Sequence, residues 1–289
     1  MVWLNLIVNG LCLGGLYGVL GVGLALVIGV MRFINISHGE FIVMASFLGV
    51  FASEAFPGVN PLWLIVPVAI VFFFVGYAVQ AILFNKVVTL PDFLAPILLT
   101  FGFTIALQNL MFEGFGSNVR SLSAGGIARQ SIAIGSLTIG VLPLITLGLA
   151  IFFFVALQLV ISHTSFGRAI RATADNRDVA RLMGVKPTRI FNITMGLALA
   201  LAAVAGMLLA MRTTFTPYSG LTNLLVAFEV IVIGGFGSFW GALLGGFLLG
   251  IAQLLGLYFD PDAGLFYVDL TFFIVVLLRP QGLMGVKLP

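Results

Sequence analysis

The residues that could do chemistry in this sequence are few, and most of them interrupt long apolar stretches. The segment MRFINISHGEF, at 31–41, places Asn35, His38 and Glu40 among apolar neighbours, and Glu229 stands alone within LLVAFEVIVIGGFG. An ionisable group at membrane depth is costly, so each one is a candidate for lining a solute path. An equally weighted alternative is that His38 and Glu40 satisfy backbone groups freed by a break in a helix.

The candidates for such a path share either a polar side chain inside an apolar run or a glycine at a break. The predicted pathway residues are Asn35, His38, Gly39, Glu40, Thr100, Gln108, Glu229, Gly235 and Gly237. So few ionisable groups are thin support for proton-coupled transport, which usually needs several buried carboxylates and a basic partner. We therefore expect the energy for transport to come from a source other than these ionisable residues.

Catalytic and metal chemistry are poorly supported. The only histidines, His38 and His163, are far apart, and Cys12 is the only cysteine. A metal site needs three or four converging donors. A phosphate-binding loop of the GxxxxGK[ST] type needs a Gly-Lys pair, which the sequence lacks. We predict no catalytic residue, no metal site and no cofactor bound by this chain, which is therefore not expected to be an enzyme.

The elements that must position these residues are membrane helices. The chain has 289 residues, of which 61% are apolar and only 8% are charged, and its mean hydropathy is +1.21. A soluble domain carries about 25% charged residues, whereas apolar runs of about 20 residues, each long enough to cross a bilayer, recur here. We predict an all-α polytopic integral membrane protein with about eight transmembrane helices in a single domain, residues 1–289.

Glycine is expected to act in this fold in two ways. One or two broken or re-entrant segments are predicted, at 31–41 and at the glycine-rich 234–246, because transporters often place solute sites where discontinuous helices meet. Most other glycines are expected to pack helices closely. Gly10, Gly14 and Gly18, for example, stand four residues apart, a spacing that lets helices approach each other in lipid.

The distribution of basic residues predicts which side each loop faces. Residues 163–189 carry six of the 13 Lys and Arg residues, so the positive-inside rule places this segment in the cytoplasm. By the same reasoning RTTFTPYSG, at 212–220, is external, and the C-terminal tail with Arg279 and Lys287 is cytoplasmic. The net charge of +3 is accounted for by these loops, so no nucleic-acid partner is expected.

The basic segment itself predicts an amphipathic helix over 165–183, with Leu182 and Met183 on its apolar face and Gly184 ending it. Three uses compete: a solvated loop, an anchor on anionic lipid, and a helix that docks into a groove on a cytoplasmic partner. The small residues Ala180 and Gly184 favour docking, because a helix that enters a cleft needs small side chains.

Several motifs resemble those of one protein family. DVARLMG, at 178–184, is similar to the EAAxxxG loop of bacterial ABC importer permeases, although Asp178 and Val179 replace the first two residues and the I-x-L-P ending is missing. The stretches GVMRFINISHGEFIVMASF, AGMLLA, VIGGFGSFWGALLGG and LLRPQGLMG resemble the branched-chain amino acid permeases of the LivH type, along the whole chain.

This resemblance implies a heteromeric importer for branched-chain, hydrophobic amino acids in the bacterial cytoplasmic (inner) membrane. A LivM-like second permease would complete the path, and two ATPase subunits, which carry ATP and Mg, would dock on 163–189. A periplasmic or lipid-anchored binding protein would deliver the solute, and membrane lipid would surround the complex. A urea or short-chain amide permease of the same family and a stand-alone secondary carrier or channel remain the alternatives. The implied coupling residues are Gly167, Arg168, Arg171, Asp178, Ala180, Arg181 and Gly184.

Overall fold

The computed structural model describes residues 2–88, 94–135 and 137–285, and most of them are helical. In chain order the described α-helices are α1 (Val2–Met31), α2 (His38–Ala55), α3 (Pro61–Val79), α4 (Asn85–Val88), α5 (Leu94–Phe115), α6 (Val141–His163), α7 (Ser165–Asp175), α8 (Arg177–Leu182), α9 (Pro187–Ala210), α10 (Gly220–Gly234), α11 (Phe239–Phe259) and α12 (Gly264–Leu278). A π-helical turn (Gln80–Phe84) joins α3 to α4, and a 3-10 turn (Gly125–Arg129) precedes strands β1 (Ser131–Ile134) and β2 (Leu137–Gly140).

The described helices confirm a multi-pass membrane protein. Six helical stretches are long and apolar enough to cross a membrane: α1, the continuous Pro61–Val88, α5, α6, α9 and α11. The apolar helices α10 and α12 are shorter, with 15 residues each, and α2 has 18. The predicted total of about eight crossings stays a prediction. Lys287, expected in a cytoplasmic tail, lies outside the described residues.

The prediction of a purely α-helical fold is wrong at one place. Strands β1 and β2 form a two-stranded antiparallel sheet, in which Ser131 pairs with Gly140 and Ile132 with Ile139. Gly135 has a φ of 64°, a left-handed conformation that a tight hairpin turn requires and that glycine adopts at little cost. The hairpin is tied to the start of α1, because the Thr138 amide donates to the Asn5 side-chain oxygen at 2.9 Å.

The long helix α1 is the centre of the bundle, and glycines bring α11 against it. A Cβ atom at Gly14 would lie 2.5 Å from the Phe247 Cα, and one at Gly10 would lie 2.8 Å from the Ile251 Cα. Such distances are far below normal contact, so only glycine allows these backbones to approach. The prediction that the spaced glycines pack helices is confirmed at these positions.

The two ends of the bundle are distinct. At one end, the hairpin end, the Trp3 ring packs on Tyr258 at 5.6 Å, and Arg120 lies 3.6 Å from Glu54. At the other, which we call the coupling end, α1 stops at Met31 and helices α7 and α8 lie beside it. The coupling end is therefore the end that carries the basic segment 163–189.

Polar side chains join α9 to the broken helix α3–α4 near the coupling end. The Gln80 amide donates to the Asn85 side-chain oxygen at 3.0 Å, and Asn85 donates in turn to Asn192 at 2.7 Å. Gln80 begins the π-helical turn, where the ordinary backbone ladder is interrupted. The amide chain thus holds the interrupted helix against α9 across an otherwise apolar contact.

Candidate functional site

The break predicted at 31–41 is present, and Asn35 shapes it. Helix α1 ends at Met31 and is followed by Arg32 with a φ of 57°. The fully buried Asn35 accepts hydrogen bonds through its side-chain oxygen from the Ser37 amide at 3.1 Å and the Ser37 hydroxyl at 2.6 Å. This local turn redirects the chain back into the bundle, so that α2 can begin inside it.

Helix α2 begins well inside the bundle, next to α1 and α10. The His38 ring packs against Gly23, where a Cβ would lie 3.0 Å from its Cε1, about two helical turns before the end of α1. The ring faces the Leu20 carbonyl without a well-formed hydrogen bond. A Cβ at Gly39 would overlap the Gly220 carbonyl oxygen, so the first turn of α2 touches the first turn of α10.

Glu40 completes this junction of two interrupted helices. Its carboxyl group lies against Gly220, the first residue of α10, and its Oε2 has no hydrogen-bond partner among the described residues. The positive ends of the α2 and α10 dipoles both point here, which favours a negative group. Asn35, His38, Gly39 and Glu40 are thus brought together, at the meeting point of two half-helices.

The second interruption lies elsewhere than predicted. Residues 234–246 form the end of α10, a turn at the coupling end and the start of α11, with Gly235 and Gly237 at φ values of 96° and 78°. The interruption that mirrors 31–41 is 211–219, which leads from the end of α9 back to Gly220 inside the bundle. We predicted an external loop here. The polarity of a stretch indicates contact with polar groups or water, but it does not show in which direction the chain runs.

The remaining predicted pathway residues are more scattered. Thr100, on α5, is buried and donates to the Ile97 carbonyl at 3.1 Å. It lies one turn from Phe103, whose ring packs on Phe41 at 5.8 Å, so this face of α5 covers the break. Gln108 is half-buried about two turns further along α5, away from the junction. Their roles in a path stay predictions.

Glu229 belongs to a second polar region, which the sequence reading recognised only in part. Its carboxyl group lies in hydrogen-bonding contact with that of Asp269 on α12. Asp269 was missed, although a lone acid within the apolar YVDLTFF was a usable signal. Next to the pair is a cavity of about 290 Å³ lined by Tyr17, Leu20, Leu209, Thr213, Thr214, Phe215, Ser219, Thr222, Asn223, Val226, Gln253 and Leu265.

The basic segment forms two helices rather than the single helix predicted over 165–183. The chain bends at Asn176, whose side-chain oxygen accepts from the amides of Asp178 and Val179 at 3.0 and 3.1 Å and so caps α8. A polar cap of this kind stabilises a new helix start. Arg171 donates to the Ile161 carbonyl near the end of α6.

Helix α8 ends in an exposed apolar tip, formed by Val179, Leu182 and Met183. Leu182 is 87% exposed and Met183 is 80% exposed. The charged side chains around this tip are also exposed, and Arg181 lies 3.9 Å from Asp178. Large apolar side chains presented in this way are typical of a surface that docks into another protein.

Two small residues of the segment, Ala180 and Gly167, are buried, whereas Gly184 is exposed where α8 ends. Gly184 has a φ of 82° and ends α8, where the Val185 amide donates to the Ala180 carbonyl at 3.1 Å, as in a helix-ending Schellman motif. Ala180 is only 2% exposed, so it packs inwards and not towards a partner. A Cβ at Gly167 would overlap the Ile161 carbonyl, so this glycine permits the turn from α6 into α7.

Arg177, which sequence reasoning passed over, joins the basic segment to the membrane helices. Its guanidinium donates to the Met31 carbonyl at 2.6 Å and the Val88 carbonyl at 3.0 Å, and it stacks on the Phe191 ring at 4.9 Å. Met31 and Val88 end α1 and α4, where carbonyls lack helical partners and favour a cation. Burial and nearby guanidinium groups lower the pKa of Arg177, but arginine remains charged.

Arg32 makes a second link, which runs from the segment after α1 to the basic segment. Its Nη2 atom donates to the Ala174 carbonyl of α7 at 2.8 Å. The term arginine clamp is used below for Arg32 and Arg177 together with the carbonyls of Met31, Val88 and Ala174, which accept their hydrogen bonds. Because the clamp contacts the ends of α1, α4 and α7 together, a displacement of the basic segment must move those helix ends or break these hydrogen bonds.

Comparison with known proteins agrees with this architecture. The family model for the branched-chain amino acid transport system permease component matches residues 6–278. The chain is 30% identical to the high-affinity branched-chain amino acid transport system permease protein BraD of Pseudomonas aeruginosa, over 98% of this chain and 96% of that protein. It is 29% identical to the Escherichia coli K12 permease protein LivH, over 96% of this chain and 94% of that protein.

A solved structure supports the fold alone. PsaBC from Streptococcus pneumoniae in complex with Fab superposes with a TM-score of 0.52 and 13% sequence identity, over 96% of this chain and 91% of that one. The match of the family model to residues 6–278 agrees with the motifs. This chain belongs to the family of branched-chain amino acid transport system permease components.

Proposed function

We propose that this chain is the LivH-type permease subunit of a bacterial ABC importer for branched-chain, hydrophobic amino acids. It would work in the cytoplasmic membrane with a LivM-like second permease, two ATPase subunits that bind ATP and Mg, and a binding protein outside the membrane. The permease relatives that it matches over nearly their whole length carry that substrate class in their names. The chain itself would bind no cofactor and catalyse no reaction.

The single observation that carries this proposal is the exposed apolar tip of α8 on a basic segment. The tip residues Leu182 and Met183 stand almost free of their own chain, at the end of the bundle that holds most of the positive charge. The positive-inside rule supports placing this end, and with it 163–189 and the C-terminal tail, in the cytoplasm. An ATPase groove there would cover the tip, and Arg168, Arg171, Asp178 and Arg181 would set its register.

The arginine clamp offers a physical route for the energy. ATP-driven closure of the ATPase pair would displace α7 and α8 together, since Asn176 caps α8 directly after α7. Arg177 and Arg32 would carry that displacement to the ends of α1 and α4. Packed helices move as rigid bodies rather than deforming gradually, so the junction of α2 and α10 would open on one side at a time.

Leu182→Glu tests docking at the tip. We expect this variant to insert normally but to lose co-isolation with the ATPase in mild detergent, because an exposed carboxylate cannot enter an apolar groove without a desolvation cost of several kcal/mol. The measurement is affinity isolation of the tagged chain from its own membranes, followed by identification and quantification of the co-isolated subunits.

The matched control is Val119→Glu, which places the same charge on an exposed valine in the loop near the hairpin end. This variant should retain the ATPase. Gly184→Arg should also weaken docking. This change would in addition strain the backbone, because the φ of 82° at this position favours glycine. If Leu182→Glu retains the ATPase as well as Val119→Glu does, the tip is not the docking surface. A chain that moves solute in liposomes without ATP would instead be a stand-alone carrier or channel.

The solute class is tested by uptake into proteoliposomes that contain the complete transporter and ATP. Radiolabelled leucine should accumulate, and unlabelled isoleucine and valine should compete with it. Accumulation of urea or a short-chain amide, with no movement of leucine, would replace the proposed substrate with the alternative of the same family.

A further inference from the structure

Glu229, which is buried on α10, and Asp269, which is exposed on α12, have interacting carboxyl groups. Glu229 is 7% exposed, and its Oε2 receives no hydrogen bond from another described residue. The next residue, Val230, packs on Gly21 of α1, where a Cβ would lie 2.6 Å from Val230 Cγ1. Two adjacent ionised carboxylates repel each other in a medium of low dielectric, and a cationic group placed beside them relieves that repulsion.

The pair lies close to the polar cavity described above, just beyond the residues that line it. Val226 of α10 and Leu265 of α12 line the cavity. Glu229 and Asp269 stand one helical turn beyond them on the same helix faces. Tyr17, which also lines the cavity and donates to Gln253, is close enough to Glu229 to feel its charge. A cationic group at this end of the cavity would therefore lie near the acceptor oxygens of the pair.

Unpaired donors lie on the other side of the same cavity. The Asn223 Nδ2 atom is buried without a described acceptor although Asn223 lines the cavity. The buried Nη1 of Arg212 also lacks one, and Arg212 is electrostatically coupled to Tyr17. Orphaned donors are costly unless a ligand or water satisfies them. The cavity thus presents the unpaired Asn223 donor, and the carboxyl pair lies one helical turn beyond its lining.

We propose that this cavity binds the free amino acid during its passage, with the zwitterion held at both charges. The Glu229–Asp269 pair accepts hydrogen bonds from the α-ammonium group, and Asn223, helped by the charge of Arg212, binds the α-carboxylate. Leu20, Val226 and Leu265 pack on the aliphatic side chain. The assignment rests on the proposed function and adds the residues that recognise its substrate class.

The dimensions agree with this ligand. A cavity of about 290 Å³ is large enough for a branched-chain amino acid. Asn223 and Glu229 are separated along α10 by about 9 Å, roughly the span of a small zwitterion with a hydrogen bond at each end. Asp269 is exposed on the surface of this chain, and a charge on an apolar span is unstable in lipid. In the complex this face of α12 therefore meets the second permease or the solute path.

The first test measures leucine uptake by the complete reconstituted transporter. Glu229→Gln and Asp269→Asn should each lower the uptake at least about tenfold, because each removes a charge-assisted hydrogen bond to the ammonium group. Binding-protein-stimulated ATP hydrolysis should stay within about twofold of the unaltered rate. The matched control is Asp262→Asn, an exposed acid in the turn before α12, which should leave both rates unchanged.

The second test probes binding without turnover. Photoactivatable leucine should label the peptides that contain Val226 and Leu265 in nanodisc-embedded transporter. Leucinamide, which keeps the ammonium group, should reduce the labelling, whereas 4-methylpentanoate, which lacks it, should not.

The outcomes separate the site from the proposed function. If the unaltered transporter does not move leucine, the proposed substrate fails. If it does, and both acid variants transport equally well, or 4-methylpentanoate competes as strongly as leucinamide, the cavity does not recognise the ammonium group. Loss of ATP hydrolysis together with uptake in the acid variants would assign the pair a structural role and overturn the inference.

Discussion

Arg177→Ala should separate ATP hydrolysis from transport. In the complete reconstituted importer, we expect solute uptake to fall at least about tenfold, while ATP hydrolysis continues near its unaltered rate. The guanidinium holds the carbonyls of Met31 and Val88 at 2.6 and 3.0 Å, and each hydrogen bond from a charged donor contributes about 1.5 to 3 kcal/mol. Without them, α7 and α8 can follow the ATPase without pulling α1 and α4.

The measurement is the ratio of solute taken up to ATP hydrolysed in proteoliposomes. Arg177→Lys should give an intermediate ratio, because an ammonium group keeps the charge but cannot bridge two carbonyls in a fixed fork and stack on Phe191. Arg129→Ala, an exposed arginine in the turn before the hairpin, serves as the control and should change nothing. Equal losses of hydrolysis and uptake in Arg177→Ala would show a folding or docking defect instead of uncoupling.

Gly39→Ala should be the most destabilising single methyl addition in α2. The new Cβ would overlap the Gly220 carbonyl oxygen, a backbone atom held at the start of α10. Because neither helix end can yield without disturbing the junction around Glu40, we expect a loss of stability of about 3 kcal/mol. The melting temperature of the purified protein in detergent should fall clearly, and uptake should be lost.

Gly49→Ala is the matched control on the same helix. Its added methyl would meet the Met207 Cε at 3.0 Å, and a flexible methionine side chain can move aside. This variant should melt within a few degrees of the unaltered protein. Similar melting temperatures for Gly39→Ala and Gly49→Ala would contradict the close contact between the starts of α2 and α10.

Part of the candidate site was predictable because its signals are local. The interruption at 31–41 stands out because polar residues break an apolar run, and Asn35 closes its turn with a neighbour two residues away. The apolar tip of α8 also follows from short-range chemistry, whereas the new helix start that Asn176 caps was not predicted, because 165–183 was expected to be one helix. The glycines of α1 were predicted to pack helices because their spacing repeats with the helix, and the contacts with α11 agree.

Other parts depended on contacts between distant segments. Arg177 was read as one more basic residue of a cytoplasmic loop, since nothing near it in sequence shows that it reaches Met31 and Val88. The stretch 211–219 was read as an external loop because polarity reports contact with polar groups or water but not the direction of the chain. Asp269 was overlooked, and its contact with Glu229 joins two helices far apart in sequence.

The sequence by itself determined that this is a membrane protein, which family it belongs to, where its first half is interrupted, and that one segment, residues 163–189, is strongly basic. Each of these follows from composition, from local motifs or from helical spacing, which act over a few residues. Only the tertiary structure decided which interruptions meet, which arginine links the basic segment to the membrane helices, and which two acids lie next to each other. These depend on how helices pack against one another, and in a uniformly apolar chain no periodic pattern specifies the partner of a given face.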